Sequence, residues 1–143
     1  MEEEDKFYDA IYALGRDVIV SARDKAIQEC SKILNGTTED SDNLELSRKI
    51  GGLEFTEDQQ KVLKAIIMAA IDRSLNYFLW ILNDQQGIPG FTFHCVCDDG
   101  EEFDKDPFVD LSVEYWGIVD EYSEYCYKNT DETQTLDELI EGI

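Results

Sequence analysis

The sequence predicts a mostly helical α+β fold, in which two long helices pack on a small antiparallel sheet and a third helix follows. Two observations carry this prediction. Apolar residues recur at steps of three and four along residues 3–34 and 56–84, which is helical periodicity. Near residue 91 the period changes to two, which is typical of a half-buried strand. With 143 residues, the chain can bury one core, so we expect residues 1–143 to form a single domain.

The first long helix follows an acidic N-terminus and is predicted to end at Asn35-Gly36, a typical C-cap. Its apolar stripe is narrow, so the helix should lie at the surface and pack its stripe on the second helix. Gly15 in its middle costs roughly 1 kcal/mol relative to Ala, which indicates a kink or a close helix contact. The stripe consists of Phe7, Ala10, Ile11, Leu14, Val18, Ala22, Ala26, Cys30 and Ile33.

The second long helix is apolar nearly all round, which is typical of a helix at the centre of a core. At its start, Thr56 and Gln59 have the spacing of a capping box. Charged and polar residues interrupt its apolar run, so we predict that it does not span a membrane. The interrupting residues are Lys61, Lys64, Asp72, Arg73 and Asn76. Before this helix, residues 44–50 are predicted to form a short helix.

Beyond the second helix, residues 91–97 alternate as a strand, with Phe91, Phe93, Cys95 and Cys97 on one face. A lone strand is unstable, so we expect residues 108–113 to pair with it as a hairpin across an acidic loop. Residues 116–127 are predicted to form the third helix, and residues 136–140 permit a short final one. We expect Trp116, Phe91 and Phe93 to lie in the core.

Charge is the strongest indication of function. The chain has 12 Lys and Arg against 33 Asp and Glu, a net charge of −21. Residues 74–143 carry −15 of it and residues 1–73 carry −6. This balance excludes nucleic-acid binding, which needs cations to neutralise phosphates, and disfavours an anionic membrane surface. The chain is therefore either simply soluble or presents a negative field to a basic protein partner.

The N-terminus is acidic where a signal peptide would be basic and then apolar, so we expect a cytoplasmic protein with reduced cysteines. Cys95 and Cys97 would share one strand face while His94 points to the other, and no second cysteine pair completes a zinc site. We therefore predict no metal and no cofactor. The acidic run 98–106 lacks the spacing of an EF-hand, although weak, generic calcium binding is left open.

Catalytic patterns are absent from the sequence. It contains one His and no nucleophile elbow, P-loop or dinucleotide fingerprint. With 33 acidic residues, pairs of neighbouring carboxylates carry no specificity. We predict that the protein is not an enzyme.

The acidic residues after the predicted strand form the candidate partner-binding surface. They lie beside aromatic residues, which are over-represented among binding hot spots. The alternative is that the loop is only solvated. The candidate residues are Asp98, Asp99, Glu101, Glu102, Asp104, Asp106, Asp110, Glu114, Glu121 and Glu124.

Residues 115–125, YWGIVDEYSEY, resemble the Gly-Trp-Ile-x-x-[Phe/Tyr]-Ser-x-[Phe/Tyr] endings of small immunity proteins of bacterial polymorphic toxin systems. Residues 74–84, SLNYFLWILND, are similar to the helix that precedes the sheet in such proteins. The resemblance implies a cytosolic inhibitor that binds a toxin domain directly and blocks it without catalysis. A net charge of −21 suits a basic toxin such as a nuclease. The alternatives are a nucleic-acid mimic that blocks DNA- or RNA-binding proteins and, from another class, a small acidic enzyme or calcium-binding domain.

Overall fold

The computed structural model describes residues 3–83, 93, 95–103 and 106–125. Its helices are α1 (Glu3–Leu14), a π-helical segment (Gly15–Val20), α2 (Ser21–Asn35), α3 (Leu44–Gly51), α4 (Glu57–Asn83) and α5 (Pro107–Tyr122). Two short strands, β1 (Cys95–Val96) and β2 (Glu102–Phe103), pair antiparallel, with Cys95 opposite Phe103. The protein is mostly helical α+β with a small antiparallel sheet, as the sequence predicts.

The chain divides into two compact units, each assembled from segments that are distant in sequence. Unit 1 contains Met1–Ser21 and Arg73–Ser123, and unit 2 contains Ala22–Asp72 and Glu124–Ile143. The expectation that residues 1–143 form a single domain stays a prediction.

Unit 1 has an apolar core to which α1, the π-helical segment and α5 contribute most of the side chains. A Cβ placed on Gly15 would lie 2.7 Å from Cδ1 of Ile118, so only glycine allows α5 to approach this closely. The predicted close helix contact at Gly15 is therefore confirmed. The buried apolar side chains of this unit are Phe7, Ile11, Ile19, Val20, Leu79, Phe103, Leu111, Tyr115, Ile118 and Val119.

In unit 2, buried Ile27 and Met68 form an apolar cluster against which Ala65, Ile71 and Tyr125 pack. The α2 helix ends as predicted. Gly36 has a φ of +72°, which glycine adopts at no steric cost.

The end of α2 is a Schellman motif: Gly36 N donates to Ile33 O (3.2 Å) and Thr37 N donates to Lys32 O (2.8 Å). The predicted short helix is also present as α3. The Ser47 hydroxyl of α3 donates to the Ile33 carbonyl (2.9 Å), which ties α3 to the end of α2.

The start of α4 is the predicted capping box. Thr56 N donates to Gln59 Oε1 (3.0 Å), and Gln59 N donates to Thr56 Oγ1 (3.2 Å). The expectation that this helix lies at the centre of a core is wrong. Among the α4 residues whose burial is described, Met68, Asp72 and Leu79 are buried, and many apolar residues on the opposite side are exposed. The composition of a helix does not show on how many of its sides other parts of the chain pack.

By length and composition, one helix in the described part of the chain could cross a membrane, the Glu57–Leu82 stretch of α4. A core helix of a water-soluble protein satisfies the same criterion. The predictions that this helix does not span a membrane and that the protein is cytoplasmic therefore stay predictions.

The predicted hairpin partner is wrong, because residues 108–113 lie inside α5 and β1 pairs with β2 instead. The Asp106 side chain accepts a hydrogen bond from Phe108 N (2.9 Å), and Pro107 occupies the first turn. Asp followed by Pro is a typical helix start. The third helix therefore begins at Pro107 rather than at Trp116, and it ends at Tyr122. The remaining parts of the strand and tail predictions, in residues 91–92, 94 and 126–143, lie outside the described residues.

Candidate functional site

The acidic turn between β1 and β2 is held by its own hydrogen bonds. Cys97 N donates to Glu101 O (2.8 Å), and Gly100 N donates to Cys97 O (2.8 Å). Gly100 has a φ of +85°, which side chains other than glycine's adopt only with strain. Asp99 Oδ1 accepts a hydrogen bond from Glu101 N (3.0 Å). The turn therefore displays Asp98 and Asp99, both exposed, in a defined arrangement.

Lys6 of α1 joins this turn to the rest of unit 1. Its Nζ lies 3.0 Å from Glu101 Oε2 and 3.6 Å from Asp99 Oδ2. The hydrogen bond to Glu101 raises the pKa of Lys6. The pKa of Asp99 is lowered, first by the backbone hydrogen bond from Glu101 and then by Lys6. Both groups are solvent-accessible, so this contact contributes little to the stability of the fold.

A cleft of about 530 Å³ lies in unit 1 between α1 and the acidic turn. Three carboxylates and one ammonium group line it together with apolar side chains, so its net charge is negative. Such a cleft suits a Lys or Arg side chain, whose aliphatic stem packs on apolar surface while its charged end meets carboxylates. The lining residues are Lys6, Asp9, Ala10, Ala13, Val96, Cys97, Asp98 and Asp99.

The cysteines near this cleft do not provide a nucleophile. Burial raises the pKa of the Cys95 and Cys97 thiols, and neighbouring Asp99 and Glu101 raise that of Cys97 further. At neutral pH both side chains are thiols rather than reactive thiolates. Within the described ranges, no group of three or more His, Cys, Asp and Glu side chains could hold a metal ion. His94 lies outside those ranges.

Three of the predicted site residues lie on α5 or cap its start. Asp106 caps the helix, and Asp110 is half-buried in its first turn. Glu114 accepts a hydrogen bond from the Tyr12 hydroxyl of α1 (3.2 Å), and the pKa of Tyr12 is raised by desolvation and by this carboxylate. Asp106 therefore has a structural role.

Of the remaining predicted residues, Glu102 adjoins the turn, whereas Glu121 and Glu124 lie on other segments. Glu102 is exposed on β2 and Glu121 is exposed on α5. Glu124 belongs to unit 2, where its backbone N donates to Asp24 Oδ2 (3.1 Å). Asp104 lies outside the described residues. The structure thus brings Asp99 and Glu101 to Lys6, with Asp98 and Glu102 beside them in the hairpin and the other described candidates elsewhere.

The outward side of α5 carries exposed apolar side chains, including Trp116, which is predicted to lie in the core. Val113 is 73% exposed and Trp116 is 45% exposed, so the expectation for Trp116 is wrong. Its neighbour Tyr115 is buried instead, and the two rings make an edge-to-face contact at 5.1 Å.

In unit 2, sequence reasoning missed a buried cluster of charged groups. Arg23 donates to Asp72 through Nε (2.6 Å to Oδ1) and Nη2 (3.2 Å to Oδ2), which is a bidentate ion pair. Arg23 Nη1 also donates to Tyr125 O (2.7 Å) and lies 3.5 Å from Asp24 Oδ1. One signal in the sequence could have indicated that Asp72 is buried. Asp72 follows the apolar residue Met68 by four positions and therefore lies on the same side of α4.

In comparisons with known proteins, no family model, no curated protein and no solved structure matches this chain. The resemblance to immunity proteins rests on two short segments, residues 74–84 and 115–125. Residues 74–83 lie on α4 and residues 115–122 on α5.

Proposed function

We propose that this protein is an acidic inhibitor of the immunity type, which binds a basic toxin domain directly and occludes it without catalysis. The observation that carries the proposal is the acidic turn of unit 1, whose carboxylates are held by backbone hydrogen bonds and by Lys6. A turn that is already ordered loses little conformational entropy when a partner binds.

The cleft beside this turn supports a cationic contact. A Lys or Arg side chain of the partner would lay its stem on Ala10, Ala13 and Val96 and place its charge near Asp98 and Asp99. If the partner is a nuclease, the same carboxylates take the place of substrate phosphates in its basic groove. The partner is blocked because its substrate and the inhibitor need the same surface.

The net charge of −21 supports the kinetics of such an interaction. A strong field of opposite sign raises the rate at which a basic partner encounters the protein. On α5, Val113 and Trp116 add exposed apolar surface in the same unit, and aromatic side chains are frequent hot spots. We place this protein in the bacterial cytoplasm as part of the same proposal.

The test is affinity capture from the source cells with the full-length chain as bait, followed by calorimetry with the purified captured protein. The test variant changes Asp98 and Asp99 to Asn and Glu101 and Glu102 to Gln. We expect the wild-type chain to retain one basic protein with nanomolar affinity and the variant to bind it at least 100-fold more weakly, about 3 kcal/mol.

A matched control separates the site from the overall charge. Changing the exposed residues Glu39, Asp42, Glu45 and Glu54 of unit 2 to their amides alters the net charge equally. This control should keep the partner. Equal affinity of the test variant and the wild type would refute the role of the acidic turn. Capture of several nucleic-acid-binding proteins, with affinity falling steeply as salt rises, would favour the nucleic-acid mimic instead.

A further inference from the structure

The side of α5 that faces away from the core of unit 1 exposes apolar surface. Trp116 and Gly117 follow Val113 by three and four residues, so the three residues lie on one side of the helix. Val113 is 73% exposed, Trp116 is 45% exposed, and Gly117 is exposed as well. All three belong to unit 1, and together they form one surface, which we call the α5 strip.

Within the described residues, the fold gives no reason for a glycine at position 117. Its backbone is helical and has no positive φ. Among the described atoms, a Cβ placed there would meet only Glu114 Oε2, at 3.8 Å, whereas Gly15 is required because Ile118 lies against it. Gly is less favourable than Ala inside a helix. The missing side chain of Gly117 therefore lowers stability, and what it provides is open space above the backbone of α5.

The charge of α5 indicates which chemistry suits that space. The carboxylate of Glu114 lies beside the space and accepts a hydrogen bond from the Tyr12 hydroxyl (3.2 Å). A second copy of the chain would bring further carboxylates against α5 and be repelled, whereas Lys and Arg side chains would be attracted. The helix has four carboxylates and no Lys or Arg, the acidic residues being Asp110, Glu114, Asp120 and Glu121.

From these observations we propose that the α5 strip is a second contact surface for the basic partner, which lays a segment of its backbone over Gly117. An apolar side chain of that segment contacts Val113 and Trp116, and a neighbouring Lys or Arg meets the Glu114 carboxylate. Trp is enriched among binding hot spots, which lie where close packing excludes water. The inference rests on the proposed function for the identity of the partner, but it concerns α5 rather than the acidic turn.

The first test uses the protein that the full-length chain captures and measures its affinity by calorimetry. Gly117→Leu fills the space above α5 and should weaken binding at least tenfold, about 1.4 kcal/mol. The same change should raise the midpoint of urea denaturation, because Leu is favoured over Gly in a helix. A residue that only supports the fold would not lose binding while stability rises.

The matched control for this variant is Gly51→Leu. Gly51 is an exposed glycine of α3 in unit 2, where the described residues also leave room for a Cβ. This control makes the same chemical change on another helix and should leave the affinity for the captured protein unchanged.

The second test asks for the sign of the partner's charge. Val113 is exposed enough to accept either charge without disturbing the core. Val113→Lys should weaken binding at least tenfold, because it places a cation where a basic segment lies. Val113→Glu should bind at least as tightly as the wild type.

The third test needs no natural partner. A synthetic amphipathic peptide of Leu, Ala and Lys, added to the full-length ¹⁵N-labelled chain, should shift the amide signals of Val113, Trp116 and Gly117. The same peptide with Glu in place of each Lys should not. In Gly117→Leu, the shifts at Val113 and Trp116 should disappear while those of the acidic turn persist.

Three outcomes would overturn the proposal. The first is wild-type affinity of Gly117→Leu for the captured protein, and the second is an unchanged response of α5 to the peptide in that variant. The third is tighter binding by Val113→Lys than by Val113→Glu, because the surface would then take an anionic partner. The proposed function fails separately, through equal binding of the variant whose acidic turn is neutralised. If no basic protein is captured, the peptide test still decides on the α5 strip.

Discussion

The two units of this protein use ion pairs in opposite ways. In unit 2, the side chains of Arg23 and Asp72 are 0% and 4% exposed, and 2.6 Å separates Nε from Oδ1. In unit 1, those of Lys6 and Glu101 are 35% and 40% exposed, and 3.0 Å separates Nζ from Oε2. A buried charge without its partner is strongly destabilising, whereas an exposed one is solvated by water. The burial of the two side chains, more than the distance between their charged atoms, therefore decides how much the fold depends on an ion pair.

The same contrast extends to the two interiors. The core of unit 1 is apolar and depends on close approach, as at Gly15 and Ile118 or between the rings of Phe7 and Phe103, whose centroids lie 5.6 Å apart. In unit 2, a buried cation lies near the apolar cluster of Ile27 and Met68. Because the pairs formed by Lys6 lie at the surface, the acidic turn of unit 1 stays accessible to a partner.

The largest expected effect comes from breaking the buried pair. Asp72→Ala should lower the free energy of unfolding by about 3–5 kcal/mol, because it leaves the Arg23 guanidinium buried without its main counter-charge. Urea denaturation followed by circular dichroism measures the change. In the same assay, Lys6→Met should change the stability little, since water solvates the carboxylates it leaves behind.

The double variant Arg23→Met with Asp72→Leu sharpens this prediction. Apolar residues of similar volume avoid the desolvation of two charges, so its stability should lie much closer to the wild type than that of Asp72→Ala. Equal losses for Asp72→Ala and Lys6→Met would contradict the contrast between the two pairs.

The next effect tests the apolar packing of unit 1. Gly15→Ala should destabilise the protein by about 1–3 kcal/mol, because the new methyl group meets Cδ1 and Cγ2 of Ile118 at 2.7 and 2.8 Å. Thermal and urea unfolding measure it. Combining Gly15→Ala with Ile118→Ala should cost less than the sum of the two single changes, since each one relieves the other.

Gly117→Ala on α5 is the matched control for that change. A Cβ at this position finds only Glu114 Oε2 at 3.8 Å, which is an ordinary contact. In a helix interior, Ala is favoured over Gly by roughly 0.5–1 kcal/mol, so this variant should be slightly more stable than the wild type. A similar loss of stability for both alanine variants would mean that close packing at Gly15 is not the cause.

The smallest effect concerns pH and the exposed pair. The carboxyl of Asp99 should titrate below its ordinary value of 3.8 in a ¹³C NMR titration. Lys6→Met should move that pKa only part of the way back, because the backbone hydrogen bond from Glu101 is the larger cause. A full return to the ordinary value would assign the shift to Lys6 instead.

The sign of the pH dependence follows from these directions. A lowered carboxyl pKa stabilises the folded turn above pH 3.8, and this contribution is lost as the pH falls through the lowered value. The raised pKa of Lys6 contributes below pH 10.5 and is lost as the pH rises through the raised value. The exposed contact should therefore persist across the whole neutral range.

The sequence by itself determined the features that depend on a few neighbouring residues. The capping box at Thr56, the C-cap at Gly36 and the short helix α3 are all present where they were predicted. The start of α5 is also encoded locally, by the cap Asp106 and by Pro107, although the apolar pattern of residues 108–113 predicts a strand there. Such features are predictable because the hydrogen bonds that create them join residues close in the chain.

Tertiary structure alone decided which surfaces are buried and which charges meet. The apolar periodicity of α4 does not say which side is covered, and the sequence of α5 does not say that Tyr115 turns inward while Trp116 stays exposed. For the candidate site, the acidic residues could be predicted, but not that Lys6, 95 positions from Glu101, would hold the turn. Burial and ion pairing depend on residues that folding brings together from distant parts of the chain, and no local pattern encodes them.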